Sequence, residues 1–151
     1  MTDLPAANAP QHLKLSINSY LKDTVLVAMA VRGVCAMTSL SQTDINRFEL
    51  CVVEVVNNAI EHAYCGEGGH QVEVDVFYTP DRSLEVVVSD FGTPMVPQGK
   101  TELQPLDPLN PDTWTASGRG LPIVERLMDK TRYQSSNGRN SFHMIRTLAQ
   151  P

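Results

Sequence analysis

The sequence predicts an α+β fold, a two-layer sandwich in which a mostly antiparallel, mixed sheet carries helices on one face. Three observations predict it. Residues 49–64 (ELCVVEVVNNAIEHAY) space their apolar side chains over a wide helical arc, as a helix buried against a sheet does. Residues 71–78 (QVEVDVFY) and 83–89 (SLEVVVS) alternate with period two across Pro80-Asp81-Arg82, which makes an antiparallel hairpin. A second hairpin, 131–134 with 140–148, closes around Ser135-Ser136-Asn137-Gly138.

In chain order, residues 1–11 (MTDLPAANAPQ) read as a loose tail without a basic or apolar leader, and 12–149 as one domain. Residues 12–17 (HLKLSI) alternate like a half-buried strand. A helix follows over 21–37, with Asn18 or Ser19 placed to cap it. Its apolar residues run most of the way round, so it either lies between sheet and helix or meets a second protein. Ser41 to Asp44 offers a cap for the next helix, which stops at Cys65-Gly66. From Met95 to Ser117 the chain holds four prolines and no period, the mark of a functional or mobile loop. SGRGLPIVERLMD then runs from a glycine loop into a helix with Pro122 in its first turn and Leu121, Val124 and Met128 inward.

The chain of 151 residues carries a net charge of −5 with 12 Lys and Arg, which disfavours binding to a nucleic-acid backbone. Cys35, Cys51 and Cys65 form no CxxC pair and read as reduced core residues of a cytoplasmic protein. The longest apolar run, Val25 to Val31, falls far short of the ~20 residues of a membrane span.

Three stretches carry chemistry. On the long helix a narrow polar strip holds Glu54, Asn57, Asn58 and Glu61, with Glu54 and Asn58 one turn apart. A lone amide oxygen beside a carboxylate suits a nucleotide-bound Mg²⁺ better than a cage made of protein alone. Gly118-x-Gly120 ahead of a helix offers backbone N–H groups to phosphate, although neither the dinucleotide fingerprint nor a Walker lysine is present. Asp90, ending an apolar strand before Gly92, can accept from an exocyclic amine such as that of adenine, or simply form a turn.

EVVNNAIEHAY, SDFGTP and SGRGLPIV resemble the N box and the two glycine boxes of the GHKL (Bergerat, histidine-kinase-like) ATP-binding fold. More narrowly, the chain is similar to the anti-sigma-factor serine/threonine kinases of partner-switching modules, and the similarity extends to Leu109-x-Pro111-Asp112 and Gly138-x-Asn140. The resemblance implies Glu54 as general base, Asn58 as Mg²⁺ ligand, and Asp90 as the reader of adenine N6, with Gly92 making room for the base. It implies residues 95–117 as a lid over the phosphates, Gly118 and Gly120 as the phosphate cradle, Arg119 as a phosphate contact, and Pro94, Ser117 and Leu121 as further residues of the nucleotide site. It further implies ATP/ADP and Mg²⁺, a STAS-type anti-anti-sigma protein as substrate, a sigma factor or other regulator as alternative partner, and a homodimer. Pro94 and Ser117 stand where many relatives have glycine, and His62, though it matches the family pattern, falls on the apolar side of the helix. A nucleotide-gated binding module without phosphotransfer, and an adaptor that binds no nucleotide, are the competing readings.

Overall fold

The computed structural model describes residues 9–95 and 121–148. Five strands form one sheet: β1 (Gln11–Asn18), β2 (Gln71–Thr79), β3 (Ser83–Asp90), β4 (Lys130–Ser136) and β5 (Arg139–Thr147). Their order is β1-β2-β3-β5-β4 and every described pairing is antiparallel. Three helices accompany them, α1 (Thr24–Cys35), α2 (Gln42–Asn58) and α3 (Leu121–Leu127). This is the expected α+β arrangement in the expected element order.

Both hairpins turn where the sequence places them. Asp81 at φ 62° reverses the chain between β2 and β3, while Asn137 (φ 54°) and Gly138 (φ 76°) do so between β4 and β5. Positive φ at both central residues is what a two-residue loop needs to match strand twist, and Asn-Gly tolerates it best. Strand alternation then sends Val72, Val74 and Val76 of β2, Leu84, Val86 and Val88 of β3, and Phe142 and Met144 of β5 into the core. They meet Phe48, Val52, Val55, Val56 and Ile60 from the central helix, Val27 and Val31 from α1, and Ile123 and Val124 from α3. Ile123 was not on the predicted inner stripe of α3; Leu121, which was, is only half-buried. The opposite sheet face is polar, with Arg139 bridging to Glu73 at 2.8 Å and His12 to Asp75 at 2.7 Å.

Several expectations need correction. β1 begins at Gln11, one residue inside the anticipated tail, and as an edge strand it is mostly exposed, with Ile17 its one buried residue. Neither Asn18 nor Ser19 caps α1. Asn18 belongs to β1, and the buried Ser19 hydroxyl donates to the Glu67 carbonyl (2.6 Å) and accepts from the His70 amide (3.0 Å), pinning the loop after α2. Cys35 and Cys51 are buried, but Cys65 is exposed, because its φ of 53° turns the chain outward as the helix ends. Among the described residues no helix is long and apolar enough to cross a membrane.

Ser41 caps α2 as expected, its hydroxyl accepting from the Asp44 amide at 3.1 Å. Ser41→Ala should therefore lower unfolding free energy by about 1 kcal/mol, whereas Leu84→Ala, at a fully buried position, should remove about 2–5 kcal/mol. Urea unfolding followed by circular dichroism checks both, and equal losses would contradict the assignment of one residue to a cap and the other to the core.

Candidate functional site

The central helix does not end as an α-helix. After Asn58 it widens into a π turn, Ala59–Ala63, in which the Tyr64 amide donates to the Ala59 carbonyl at 3.1 Å, and the Gly66 amide then closes the helix end on the Ile60 carbonyl at 2.9 Å. A π turn spreads more residues over each revolution and changes the facing of everything beyond it. His62, placed on the apolar side by regular helix spacing, is consequently exposed. The Ala63 carbonyl faces out of the helix end and accepts the Thr93 amide at 2.9 Å.

That bond joins the helix to the segment after Asp90. Along this segment each backbone N–H from Phe91 to Met95 has an identified acceptor. Phe91 donates to the Tyr64 hydroxyl (2.8 Å), Gly92 to Asp90 Oδ1 (3.0 Å), Thr93 to Ala63, and Met95 to the Tyr133 hydroxyl (2.8 Å). Pro94 has no N–H to satisfy. Tyr64 also donates to the Gln71 carbonyl at 2.6 Å, tying helix end, β2 and the Asp90 segment to a single oxygen. An irregular stretch with all its donors engaged is held in shape without strand pairing.

Gly92 sits against the helix. A methyl group there would lie 2.7 Å from the Ala63 carbonyl carbon and 2.9 Å from Tyr64 Cδ1. Its missing side chain is thus taken up by the close approach of two backbones.

Asp90 keeps 9% of its surface exposed. Its Oδ1 accepts from Asn140 Nδ2 at 2.7 Å as well as from Gly92, and Asn140 Nδ2 also donates to the Gly92 carbonyl at 3.0 Å. Burial raises the Asp90 pKa, while the Asn140 and Gly92 donors pull it back. Asn140, Tyr64 and Tyr133 were not among the predicted site residues. The signal that could have found Asn140 is its cross-strand position opposite Asp90, which pairing of the two hairpins would bring out.

Glu54 and Asn58 are both half-buried and one turn apart on α2. Burial raises the Glu54 pKa, and the nearby Glu61 carboxylate adds to the rise. Asn57 leaves the strip: its side-chain oxygen accepts from the Thr24 hydroxyl at 3.0 Å and anchors the start of α1. Among the described residues no group of three or more His, Cys, Asp or Glu could hold a metal. One carboxylate and one amide oxygen fit a Mg²⁺ held chiefly by phosphates and water.

Leu121 opens α3, which packs beside α2 through Ile123 and Val124. Ser117, Gly118, Arg119 and Gly120, and the segment after Met95 that the resemblance implies as a lid, lie outside the described residues.

The antiparallel sheet, backed by helices on one face, thus ends a central strand in the buried carboxylate of Asp90, and the longest helix carries Glu54 and Asn58. The chain matches the histidine kinase-like ATPase domain over residues 17–146 and belongs to that family. It is 33% identical over 115 residues to the serine-protein kinase RsbW of Bacillus velezensis, a match spanning 75% of this chain and 71% of that protein. It is also 29% identical over 140 residues to the anti-sigma F factor of Pasteuria penetrans, covering 90% of each. Its fold follows the crystal structure of the RsbU and RsbW domains of a Mycobacterium tuberculosis protein with a TM-score of 0.65 at 19% identity, over 93% of this chain and 33% of that one.

The Gly92 contact yields a direct expectation. Gly92→Ala should push the Asp90 segment off the helix end and destabilise the fold by about 1–3 kcal/mol, read as a lowered midpoint of thermal unfolding. A variant as stable as the parent would show that the two backbones do not meet there.

Proposed function

We infer that this protein is an ATP-dependent serine/threonine protein kinase that acts as an anti-sigma, partner-switching regulator in the cytoplasm. One observation carries the reading. The Thr93–Ala63 bond and the Gly92 approach clamp the Asp90 segment to the end of the helix that bears Glu54 and Asn58. Base recognition and phosphate chemistry then share one rigid frame, which suits a reaction that depends mainly on positioning and electrostatics. The names of its relatives, serine-protein kinase and anti-sigma factor, support the same conclusion.

In this reading Asp90 accepts from adenine N6, and the Gly118-x-Gly120 motif with Ser117, Arg119 and Leu121 receives the phosphates. Asn58 is the protein's ligand to Mg²⁺, which when bound neutralises phosphate charge. Glu54 orients the acceptor serine and takes its proton as the serine oxygen bonds to the γ-phosphorus and the bond to the ADP oxygen breaks. Its raised pKa makes it a stronger base than an ordinary Glu. The same shift predicts a rate that falls in acid as the carboxylate is protonated.

The substrate is a small STAS-type antagonist, and a sigma factor or comparable regulator is the competing partner. Switching between them needs nucleotide states that differ in partner affinity by roughly 1–3 kcal/mol. The protein works as a homodimer. Val25, Leu26 and Met29 expose 55%, 59% and 54% of their surface on α1, and Leu13 of β1 and Met37 after α1 are exposed as well. An apolar face of this kind calls for a second copy or a partner.

Two variants test the chemistry. Glu54→Gln should retain ATP within a few fold while phosphotransfer from labelled ATP to the antagonist drops about 10²-fold or more. Asn58→Ala should weaken ATP binding only when Mg²⁺ is present. An antagonist left unlabelled by wild-type protein that holds ATP would establish a nucleotide-gated binder instead. The assembly has its own test, since Leu26→Asp with Met29→Glu should convert a sedimenting dimer to monomer. A monomeric wild type would refute it.

A further inference from the structure

We propose that Asn140, supported by Ser135, decides which purine the site accepts: its amide donates to Asp90 Oδ1 and so stabilises the ionised carboxylate, which can meet a base only as an acceptor. The proposal rests on the reading of Asp90 as the group that recognises the base.

Strand register assembles the three residues. Asp90 pairs with Asn140 across β3 and β5, and Asn140 pairs with Ser135 across β5 and β4. They form one rung, two residues beyond the apolar rung of Val88, Phe142 and Tyr133, on the same face of the sheet. Ser135 Oγ donates to Asn140 Oδ1 at 2.7 Å, and Asn140 Nδ2 donates to Asp90 Oδ1 at 2.7 Å. The amide can adopt only one orientation. Nδ2 faces two acceptors, Asp90 Oδ1 and the Gly92 carbonyl at 3.0 Å, and the flipped amide would set oxygen against both. Asn140 is 1% exposed, so water cannot replace these bonds.

The chemical consequence concerns position 6 of the base. Adenine carries an amine there and guanine a carbonyl oxygen. An acceptor-only carboxylate pairs with the first and opposes the second, whereas a protonated Asp90 could donate and would lose that discrimination. Burial favours protonation, and the Asn140 amide opposes it. The other titratable or charged groups on the surrounding elements include the Tyr64 phenol from the helix end, His70 stacked on Tyr64 at 4.8 Å, Glu73 from β2, the Tyr133 phenol of β4, which accepts from the Met95 amide, and Arg139 beside Asn140, which is drawn to Glu73 at 2.8 Å. Neither Tyr64 nor Arg139 supplies Asp90 with a hydrogen bond, so Asn140 is its one side-chain donor among the described residues.

Calorimetry with Mg-ATP and with Mg-GTP from pH 5.5 to 8.5, on folded wild type, Asn140→Ala, Ser135→Ala and Asp90→Asn, tests this. Asn140→Ala should bind ATP about tenfold more weakly at pH 7, hold GTP unchanged or tighter, and move the acid midpoint of ATP binding up by about one pH unit. Ser135 is exposed, so Ser135→Ala should fold and change the same quantities in the same direction by about two- to threefold. An unaltered ATP-to-GTP ratio and acid midpoint in Asn140→Ala, or in Ser135→Ala should the former not fold, would overturn the proposal and leave Asn140 a structural residue. Asp90→Asn separates the two levels. Unchanged ATP affinity in that variant would remove Asp90 as base reader and with it the premise of the proposal, while weakened ATP with unmoved Asn140 and Ser135 variants would remove only the role of Asn140.

Discussion

The register between β3 and β5 is the constraint on which the site depends. With Val88 opposite Phe142 and Val86 opposite Met144, the next inward positions must be Asp90 and Asn140. A slip of one residue would turn every core side chain of β3 to solvent and carry Asp90 to the wrong face. The hydrophobic effect therefore fixes the place of a buried carboxylate and its donor more firmly than their own hydrogen bonds could. Two neighbouring apolar rungs hold the polar one in place.

The second constraint is the π turn. A regular α-helix through Ala63 would spend that carbonyl differently and keep His62 on the buried side. The wider turn instead frees an acceptor for Thr93 and lets Gly92 come into contact with the helix backbone. π turns recur at functional sites because they redirect backbone groups at little cost to the rest of the helix. Here the redirected group connects the strand bearing Asp90 to the helix bearing Glu54 and Asn58.

Such a site lowers stability. Glu54 and Asp90 both have folded-state pKa values raised by burial. Between its unfolded and folded pKa, each binds more protons in the folded protein. Each therefore reduces stability as pH climbs through that window and contributes no such loss in acid below the unfolded value. The buried apolar layer shared by three helices and the sheet offsets this, and the perturbed carboxylates lie at the positions assigned to chemistry, where such shifts concentrate.

Much of this was legible in the order of residues. Period-two alternation, Asn-Gly and Asp-containing turns and the Ser41 cap are local signals, so the strands, both hairpins and the start of α2 followed from the sequence alone. So did the family, through its three motifs; the same motifs single out Glu54, Asn58, Asp90 and Gly92, whose roles belong to the proposed function. Other features depend on contacts between residues distant in sequence. That Asn57 would turn to Thr24, that Ser19 would tie down Glu67 and His70 rather than cap a helix, and that β1 would lie exposed at the sheet edge required the packed elements. The side chains that hold Asp90 and the segment after it, the Tyr64 and Tyr133 hydroxyls that accept from Phe91 and Met95 and the Asn140 amide that donates to Asp90, come from three different elements, and no local pattern announces them. Sequence by itself determined which segments become helix or strand, because that follows from side-chain periodicity; tertiary structure decided which polar groups meet, because a hydrogen bond depends on distance in space and not along the chain.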